Sequence, residues 1–445
     1  MTNITVDFSS SQGKVKPMHA VNNGPAHKFG ADQRVSNLEA FREAGIPYAR
    51  NHDASFFATY GGEHTVDVIA IFPDFDADPY EPASYDFAIT DEYIRVTELA
   101  GVRTFYRLGN RIEHEIKKYG TLPPKDFHKW AVICEHIIRH YTEGWADGFR
   151  YDMPYWEIWN EADLDVDDSD NKRCWGGTKA EFFEFFNIAL AHLKGCFPHL
   201  RIGGPALAWR LEWADELLAQ LTTRPDFFSW HIYTNDPKKV SERIEAVHQL
   251  LEKHGLGDVE SILNEWNYVK GWEGDEVLYT RKTIKGLKGS AFTAAVMTEG
   301  QREDVDMLMY YDARPSVWNG LFSTDYISEK LKGYYPFVMF NTLYKLGESV
   351  MSQSDHEDVY VTAATGEGEA AVMFTHFSDD DTKTAETVSL DFTGYAGDAA
   401  EAEVFVLDED RDLESVGKIR FRGGEFGLEL VVPNFTSYLI RIKNI

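Results

Sequence analysis

Along the first three quarters of the chain, short apolar runs rich in β-branched and aromatic residues alternate with longer stretches of helical periodicity. The short runs predict strands at Val15–Asn22, Tyr48–Asp53, Arg103–Leu108, Tyr155–Asn160, Ile202–Pro205, Phe227–Tyr233, Ser261–Trp266 and Met307–Tyr311. Between and after them, helical spacing predicts Asn37–Ala44, Thr90–Ala100, Lys125–Thr142, Thr178–Cys196, Glu212–Leu221, Pro237–His254, Tyr279–Thr298 and Leu331–Leu346. Thr90 stands as a candidate N-cap, and Thr178 with Glu181 three residues on reads as a capping box. Eight strands alternating with eight helices predict an α/β fold, a (β/α)8 TIM barrel spanning residues 12–346.

After Gly347 the pattern changes. Val359–Ala364, Ala370–Phe377, Thr387–Phe392, Ala402–Leu407, Phe426–Val432 and Ser437–Ile442 alternate with period two and are separated by Gly, Asp and Glu clusters. This predicts a C-terminal antiparallel β-sandwich domain over 347–445. The first strand-like piece, Asn3–Phe8, precedes the barrel, so residues 1–11 are expected to join that sandwich.

The chain has 445 residues and a formal net charge of −29, from 44 Lys plus Arg against 73 Asp plus Glu. That balance excludes a phosphate-neutralising surface, so nucleic acid is not expected as a partner. No apolar run reaches 18 residues, which argues against a membrane span. The N-terminus has no basic region followed by an apolar one, and the three cysteines form no disulfide framework, so a cytoplasmic location is expected. Homo-oligomer formation is compatible with these features. Aromatic residues make up 14 %, which suits either a large core or a carbohydrate site, since sugar C–H faces stack on aromatic planes.

In a (β/α)8 barrel the chemistry lies at the C-terminal ends of the strands. The second predicted strand ends Arg50-Asn51-His52-Asp53, the fourth Trp159-Asn160-Glu161, and the sixth Trp230-His231-Ile232-Tyr233. The seventh ends Asn264-Glu265-Trp266-Asn267 and the eighth Tyr310-Tyr311-Asp312-Ala313-Arg314. Two glutamates, each preceded by Asn, thus face one another across the barrel mouth. Such a pair suits cleavage of a glycosidic bond, where one carboxyl protonates the leaving oxygen and the other acts at the anomeric carbon.

These motifs resemble glycoside hydrolase family 39, the β-xylosidase and α-L-iduronidase family. Trp156-Glu157-Ile158-Trp159-Asn160-Glu161 is similar to its acid/base motif, and Asn264-Glu265-Trp266-Asn267 to its nucleophile motif. Arg50-Asn51-His52-Asp53, Gly203-Gly204-Pro205-Ala206 and Asp226-Phe227-Phe228-Ser229-Trp230-His231-Ile232-Tyr233 resemble further landmarks. The resemblance implies that Glu161 is the general acid/base and Glu265 the nucleophile. It further implies that Asn160 bonds the sugar 2-hydroxyl, Arg50 keeps Glu265 ionised, and Tyr233 bonds Glu265. His52 and His231 would contact sugar hydroxyls, and Trp266 would stand in the wall or contact substrate. No cofactor or metal is implied; the partner is a small oligosaccharide or glycoside.

The chain departs from the family pattern at Ala162, where Pro often follows the acid/base, and at Asn264, where Thr is frequent. At the eighth strand Tyr311 or Trp318 would supply the sugar platform. Arg314 could bind a uronate carboxylate, but pairing with Asp312 is the favoured reading. The sugar therefore stays open among xyloside, arabinoside, galactoside, glucoside and uronide. A non-catalytic carbohydrate-binding protein is a weaker alternative, since both glutamates are present. The acidic run from Asp163 to Asp170 reads as a solvated loop, His136 and His140 as a surface pair, and Ser378-Asp379-Asp380-Asp381 as a turn.

Overall fold

The computed structural model describes residues 1–27, 36–53, 64–397 and 399–445. The chain opens on β1 (Thr2–Lys14) and then enters a closed barrel of eight parallel strands. These are β2 (Ala20–Asn22), β3 (Tyr48–Arg50), β4 (Arg103–Leu108), β5 (Tyr155–Ile158), β6 (Arg201–Leu207), β7 (Phe227–Thr234), β8 (Glu260–Tyr268) and β9 (Met307–Tyr310). They pair in sequence order, and β9 closes on β2. The helices are α1 (Leu38–Ala44), α2 (Val68–Ile71), α3 (Ala88–Leu99), α4 (Phe127–Thr142), α5 (Lys179–Cys196), α6 (Leu211–Leu218), α7 (Pro237–Lys253), α8 (Gly274–Thr283), α9 (Leu287–Arg302) and α10 (Tyr335–Leu346). None among the described residues is long and apolar enough to cross a membrane.

The predicted TIM barrel is therefore present, with local differences. The capping box at Thr178 and Glu181 forms as read. Thr90 caps nothing: α3 starts two residues earlier, and the Thr90 hydroxyl donates to the Thr65 carbonyl. The single helix expected over Tyr279–Thr298 is two, α8 and α9, broken around Gly286. There Gly289 sits so close to the Ile284 backbone that an added Cβ would lie 2.6 Å from it, so the chain turns where helical periodicity continues. His136 and His140 are buried rather than superficial. His140 Nδ1 and Nε2 meet the Trp145 carbonyl and Asp91, and its ring stacks on Phe87.

The remaining strands are β10 (Glu348–Ser354), β11 (Val359–Gly366), β12 (Glu369–His376), β13 (Glu386–Thr393), β14 (Ala399–Leu407), β15 (Asp412–Arg422), β16 (Phe426–Val432) and β17 (Ser437–Asn444). With β1 they form a nine-stranded sheet in the order β15-β14-β17-β12-β11-β10-β1-β13-β16. Every pairing is antiparallel except β1 with β13. The sheet folds over its own core, which joins Ile4, Val6 and Phe392 to Val404, Val406 and Ile440. Its two edges meet where Phe421 of β15 stacks on Phe426 of β16 at 4.1 Å. This is the predicted sandwich, closed by aromatic contact instead of hydrogen bonds, and the N-terminal strand β1 lies within its sheet.

The sandwich packs on α9 and α10 through β11 and β12, with Phe292 against Phe377. Asp379 is more than a turn residue. It accepts from the Tyr268 hydroxyl and the Asn235 amide, each at 2.6 Å, and pairs with Lys270 and Lys288. The C-terminal domain is thereby tied to the end of β8, the strand that carries Glu265.

Candidate active site

Three inward side chains of β7, Ser229, His231 and Tyr233, follow the two-residue alternation of a strand. Strand β8 breaks that rule. Its pairing shifts register against β7 between Trp230 and His231, and against β9 between Leu263 and Trp266. Asn264 and Glu265 consequently both turn inward, and Trp266 turns out. Trp266 is buried against Phe292 and Tyr310 in the barrel wall and does not border the cavity. This corrects its placement among substrate contacts.

At the end of β5 the backbone makes a sharp exit. Trp159 and Glu161 both adopt left-handed conformations, φ 69° and 50°. A non-glycine residue held there costs on the order of 1–3 kcal/mol. The Trp159 amide donates to the Leu108 carbonyl and the Glu161 amide to the Ala206 carbonyl, which fix the turn. The Trp159 indole donates to the Cys174 carbonyl, and the Cys174 thiol lies 3.8 Å from Glu161 Oε2. The strain is spent on projecting Glu161 over the barrel axis.

Beneath the cavity lies a closed charge network. Arg50 is fully buried and uses every arm of its guanidinium. Nε donates to Glu157 at 2.6 Å, Nη1 to Glu265 at 2.8 Å and to Asn22 at 3.0 Å, and Nη2 to Asn160 at 2.6 Å. Arg50 is therefore a support beneath Glu265 and Asn160 and is not available to substrate, which corrects its listing as a binding residue while keeping its role toward Glu265. Glu157, to which the sequence reading gave no role, also accepts from Ser229 at 2.6 Å and Asn264 at 2.5 Å. Such a buried pair is costly to break, because one charge would be left uncompensated.

Glu265 is 4 % exposed. Besides Arg50 it accepts the Tyr233 hydroxyl at 2.8 Å, and His52 Nε2 lies 3.4 Å away. Burial opposes its ionisation, but His231, His52, Arg50 and the Tyr233 hydrogen bond outweigh that and hold its pKa down at about 2. His231 Nδ1 lies 2.8 Å from Glu161 and 3.6 Å from Glu265. Burial opposes its protonation, yet the two carboxylates raise its pKa above the ordinary value. Carboxylate oxygens of Glu161 and Glu265 stand within 4.8 Å of each other.

Above this floor opens a cavity of about 880 Å³. Of the residues named from the sequence, His52, Asn160, Glu161, His231, Tyr233, Glu265, Tyr311 and Trp318 border it. The T-shaped contact of His52 with Tyr311 and that of Tyr233 with Trp272 organise its wall. Arg314 lies 3.4 Å from Asp312 and 3.5 Å from Asp53, the internal pairing favoured above. Burial raises the Asp312 pKa to about 6 against the pull of Arg314.

The sequence reading missed the outer rim: Trp209, Trp272, Arg173, Arg243 and Arg281. They come from loops and helices beyond the strand ends, so no strand-end motif flags them. The acidic run is also better ordered than a solvated loop. Asp163 is buried and accepts the amides of Ala208, Trp209 and Arg210, and Asp165 pairs with Arg173.

A (β/α)8 barrel with facing glutamates at the ends of its fourth and seventh strands is the architecture of a carbohydrate-active protein. Residues 4–269 match the model of glycosyl hydrolases family 39, and the chain belongs to that family. It is 26 % identical over 223 residues to a β-xylosidase of Geobacillus stearothermophilus, covering 46 % of this chain and 41 % of that one. It is 26 % identical over 248 residues to a β-xylosidase of Caldicellulosiruptor saccharolyticus, covering 52 % and 46 %. These matches span less than half of the relatives' length. The crystal structure of a glucosidase from Croceicoccus marinus superposes with a TM-score of 0.82 at 20 % identity, covering 100 % of this chain and 99 % of that one.

Proposed function

We propose that the protein is a retaining glycoside hydrolase that removes a terminal sugar, xylose-like in size, from short glycosides. The observation that carries the reading is the close approach of Glu161 and Glu265, with the Arg50 guanidinium on Glu265 and not on Glu161. Retaining enzymes hold their carboxyl groups about 5–5.5 Å apart, whereas inverting ones leave room for a water. The 4.8 Å bound between oxygens supports the former.

In the first step Glu265 attacks the anomeric carbon, the glycosidic C–O bond breaks, and Glu161 gives its proton to the leaving oxygen. In the second, Glu161 takes a proton from water, the water oxygen bonds to the anomeric carbon, and Glu265 departs. Asn160, held by Arg50, is placed to bond the sugar 2-hydroxyl. The engagement of Arg314 by Asp53 and Asp312 favours a neutral sugar there over a uronate. The β-xylosidase relatives favour xylose.

The test is hydrolysis of aryl β-xyloside, α-arabinoside, β-galactoside, β-glucoside and α-iduronide, with Glu265→Gln in parallel. The expected result is release from the β-xyloside, first product of the same anomeric configuration by NMR, and loss of activity in Glu265→Gln. An inverted first product, or undiminished activity in that variant, would overturn the mechanism.

A further inference from the structure

The chain carries a net charge of −29, yet the rim of its cavity is cationic. Among the described residues, the only carboxylates bordering the cavity are Glu161 and Glu265, whereas Arg173, Arg243 and Arg281 all border it. Arg173 is neutralised by Asp165. The other two are not: neither has a carboxylate within ion-pair distance among the described residues.

Arg243 projects from α7 and donates to the Trp209 carbonyl at 2.7 Å; burial lowers its pKa, with Asp163 and Glu212 acting against that from beyond ion-pair distance. Arg281 projects from α8 over the Trp318 ring, 5.3 Å from its centroid, and its Nε is buried without a partner. Both therefore sit at the level of the rim tryptophans. Trp209 and Trp272 are each 56 % exposed, whereas the groups around Glu265 are closed off from solvent. Trp318 in turn touches Trp272 at 5.3 Å. The Arg281 guanidinium, held against the Trp318 face, is already partly stripped of water, and the planar fork of an arginine suits an oxyanion. Burial weakens the hydration of Arg243, which Asp163 and Glu212 only partly offset, and the buried Nε of Arg281 has no partner, so both retain donor capacity that an oxyanion could use.

We propose that the rim of the cavity is an anion subsite, in which Arg243 and Arg281 bind an acidic group on the part of the substrate that extends beyond the floor, the leaving sugar or aglycone. The proposal rests on the glycosidase reading above and adds the class of leaving group. A neutral sugar is cleaved at the floor, and a moiety bearing a carboxylate, as in a uronic acid, or a phosphate ester is recognised at the rim.

The experiment compares kcat/KM for two aryl β-xylosides whose phenol leaving groups are matched in pKa, one neutral and one carrying a carboxylate. The expected result is a preference for the carboxylated substrate of about tenfold or more at low salt, shrinking as salt is raised. Arg281→Met and Arg243→Met should each reduce the ratio, and Arg281→Lys should restore part of it. A ratio near one in the parent protein, or a ratio unmoved in both Met variants, would overturn the proposal.

A second measurement keeps it separate from the hydrolysis reading. Tryptophan fluorescence of the Glu265→Gln protein is titrated with glucuronate, glucose 6-phosphate and glucose. Tighter binding of either anion than of glucose, weakened by Arg281→Met, supports the subsite even if no xyloside is hydrolysed, and the two anions distinguish carboxylate from phosphate. Equal binding of all three, or no binding, counts against it.

Discussion

The floor and the rim of the cavity are built on opposite principles. At the floor every charge is answered: Arg50 spans Glu157, Glu265, Asn160 and Asn22, and Ser229 and Asn264 fill the remaining acceptors of Glu157. Its groups come from strand ends, whose positions the barrel fixes. At the rim Trp209 and Trp272 are half exposed, and among the described residues Arg243 and Arg281 have no carboxylate within ion-pair distance. Its groups come from the loops after β6 and β8 and from α7 and α8. The floor can thus hold one reaction geometry while the rim varies without disturbing it. That division lets the residues around Glu265 stay fixed while those at the rim differ.

Substitutions should divide along the same line. The largest loss outside the nucleophile falls on Glu161. Glu161→Gln is expected to lower kcat/KM by about 10²–10⁴ for substrates with poor leaving groups. The loss should be much smaller for an activated aryl glycoside, which departs without a proton. Equal losses for both would mean that Glu161 does not donate a proton to the leaving group.

Next comes Arg50. Arg50→Met strands Glu157 and Glu265 in the barrel interior, and removing one partner of a buried ion pair costs about 3–5 kcal/mol. Chemical denaturation should show that loss, together with an acid limb of kcat/KM moved to higher pH. Retention of stability within about 1 kcal/mol would show that Glu157 and Glu265 do not depend on Arg50 for compensation of their buried charge.

Glu265 gives this network a pH signature. Its native pKa, about 2, lies below the ordinary 4.5, so ionised Glu265 contributes stability above about pH 4.5. That contribution is lost as pH falls from there toward about 2. The stability difference between the parent and Glu265→Gln should therefore shrink on acidification from pH 6 to pH 3, as followed by thermal unfolding. A difference independent of pH would show that the carboxylate is not held ionised by its surroundings. Tyr233→Phe removes one hydrogen bond to that carboxylate and should lower kcat by about 10–100-fold, with the acid limb again moved upward.

The sequence disclosed the floor better than the rim. The strand ends carried Asn160, Glu161, His231, Tyr233 and Glu265, because the barrel's polarity fixes which end of each strand opens on the cavity. It left Trp266 open between wall and substrate contact, because the register shifts in β8 turn Asn264 and Glu265 to the same side, and no local pattern marks a bulge. It gave Glu157 no role, because a carboxylate one turn below the mouth looks like any strand residue until Arg50 is seen to reach it. Trp272, Arg243 and Arg281 were invisible for a different reason. Their place over the cavity depends on how α7, α8 and the β8–α8 loop lie across the mouth, which helical periodicity does not encode.

The smallest effect belongs to the rim. Trp272 leans on Tyr233 at 5.2 Å and on Trp318 at 5.3 Å, yet it is more than half exposed, so its ring presents a face to whatever occupies the outer cavity. Trp272→Ala should raise KM several-fold for a disaccharide, since an aromatic contact of this kind contributes about 0.5–1.5 kcal/mol. For an aryl xyloside short enough to end below the ring, KM should change little, and kcat should be preserved for both. A fall in kcat as large as that of Tyr233→Phe would mean that the ring acts through Tyr233 on Glu265, so that rim and floor are one unit after all.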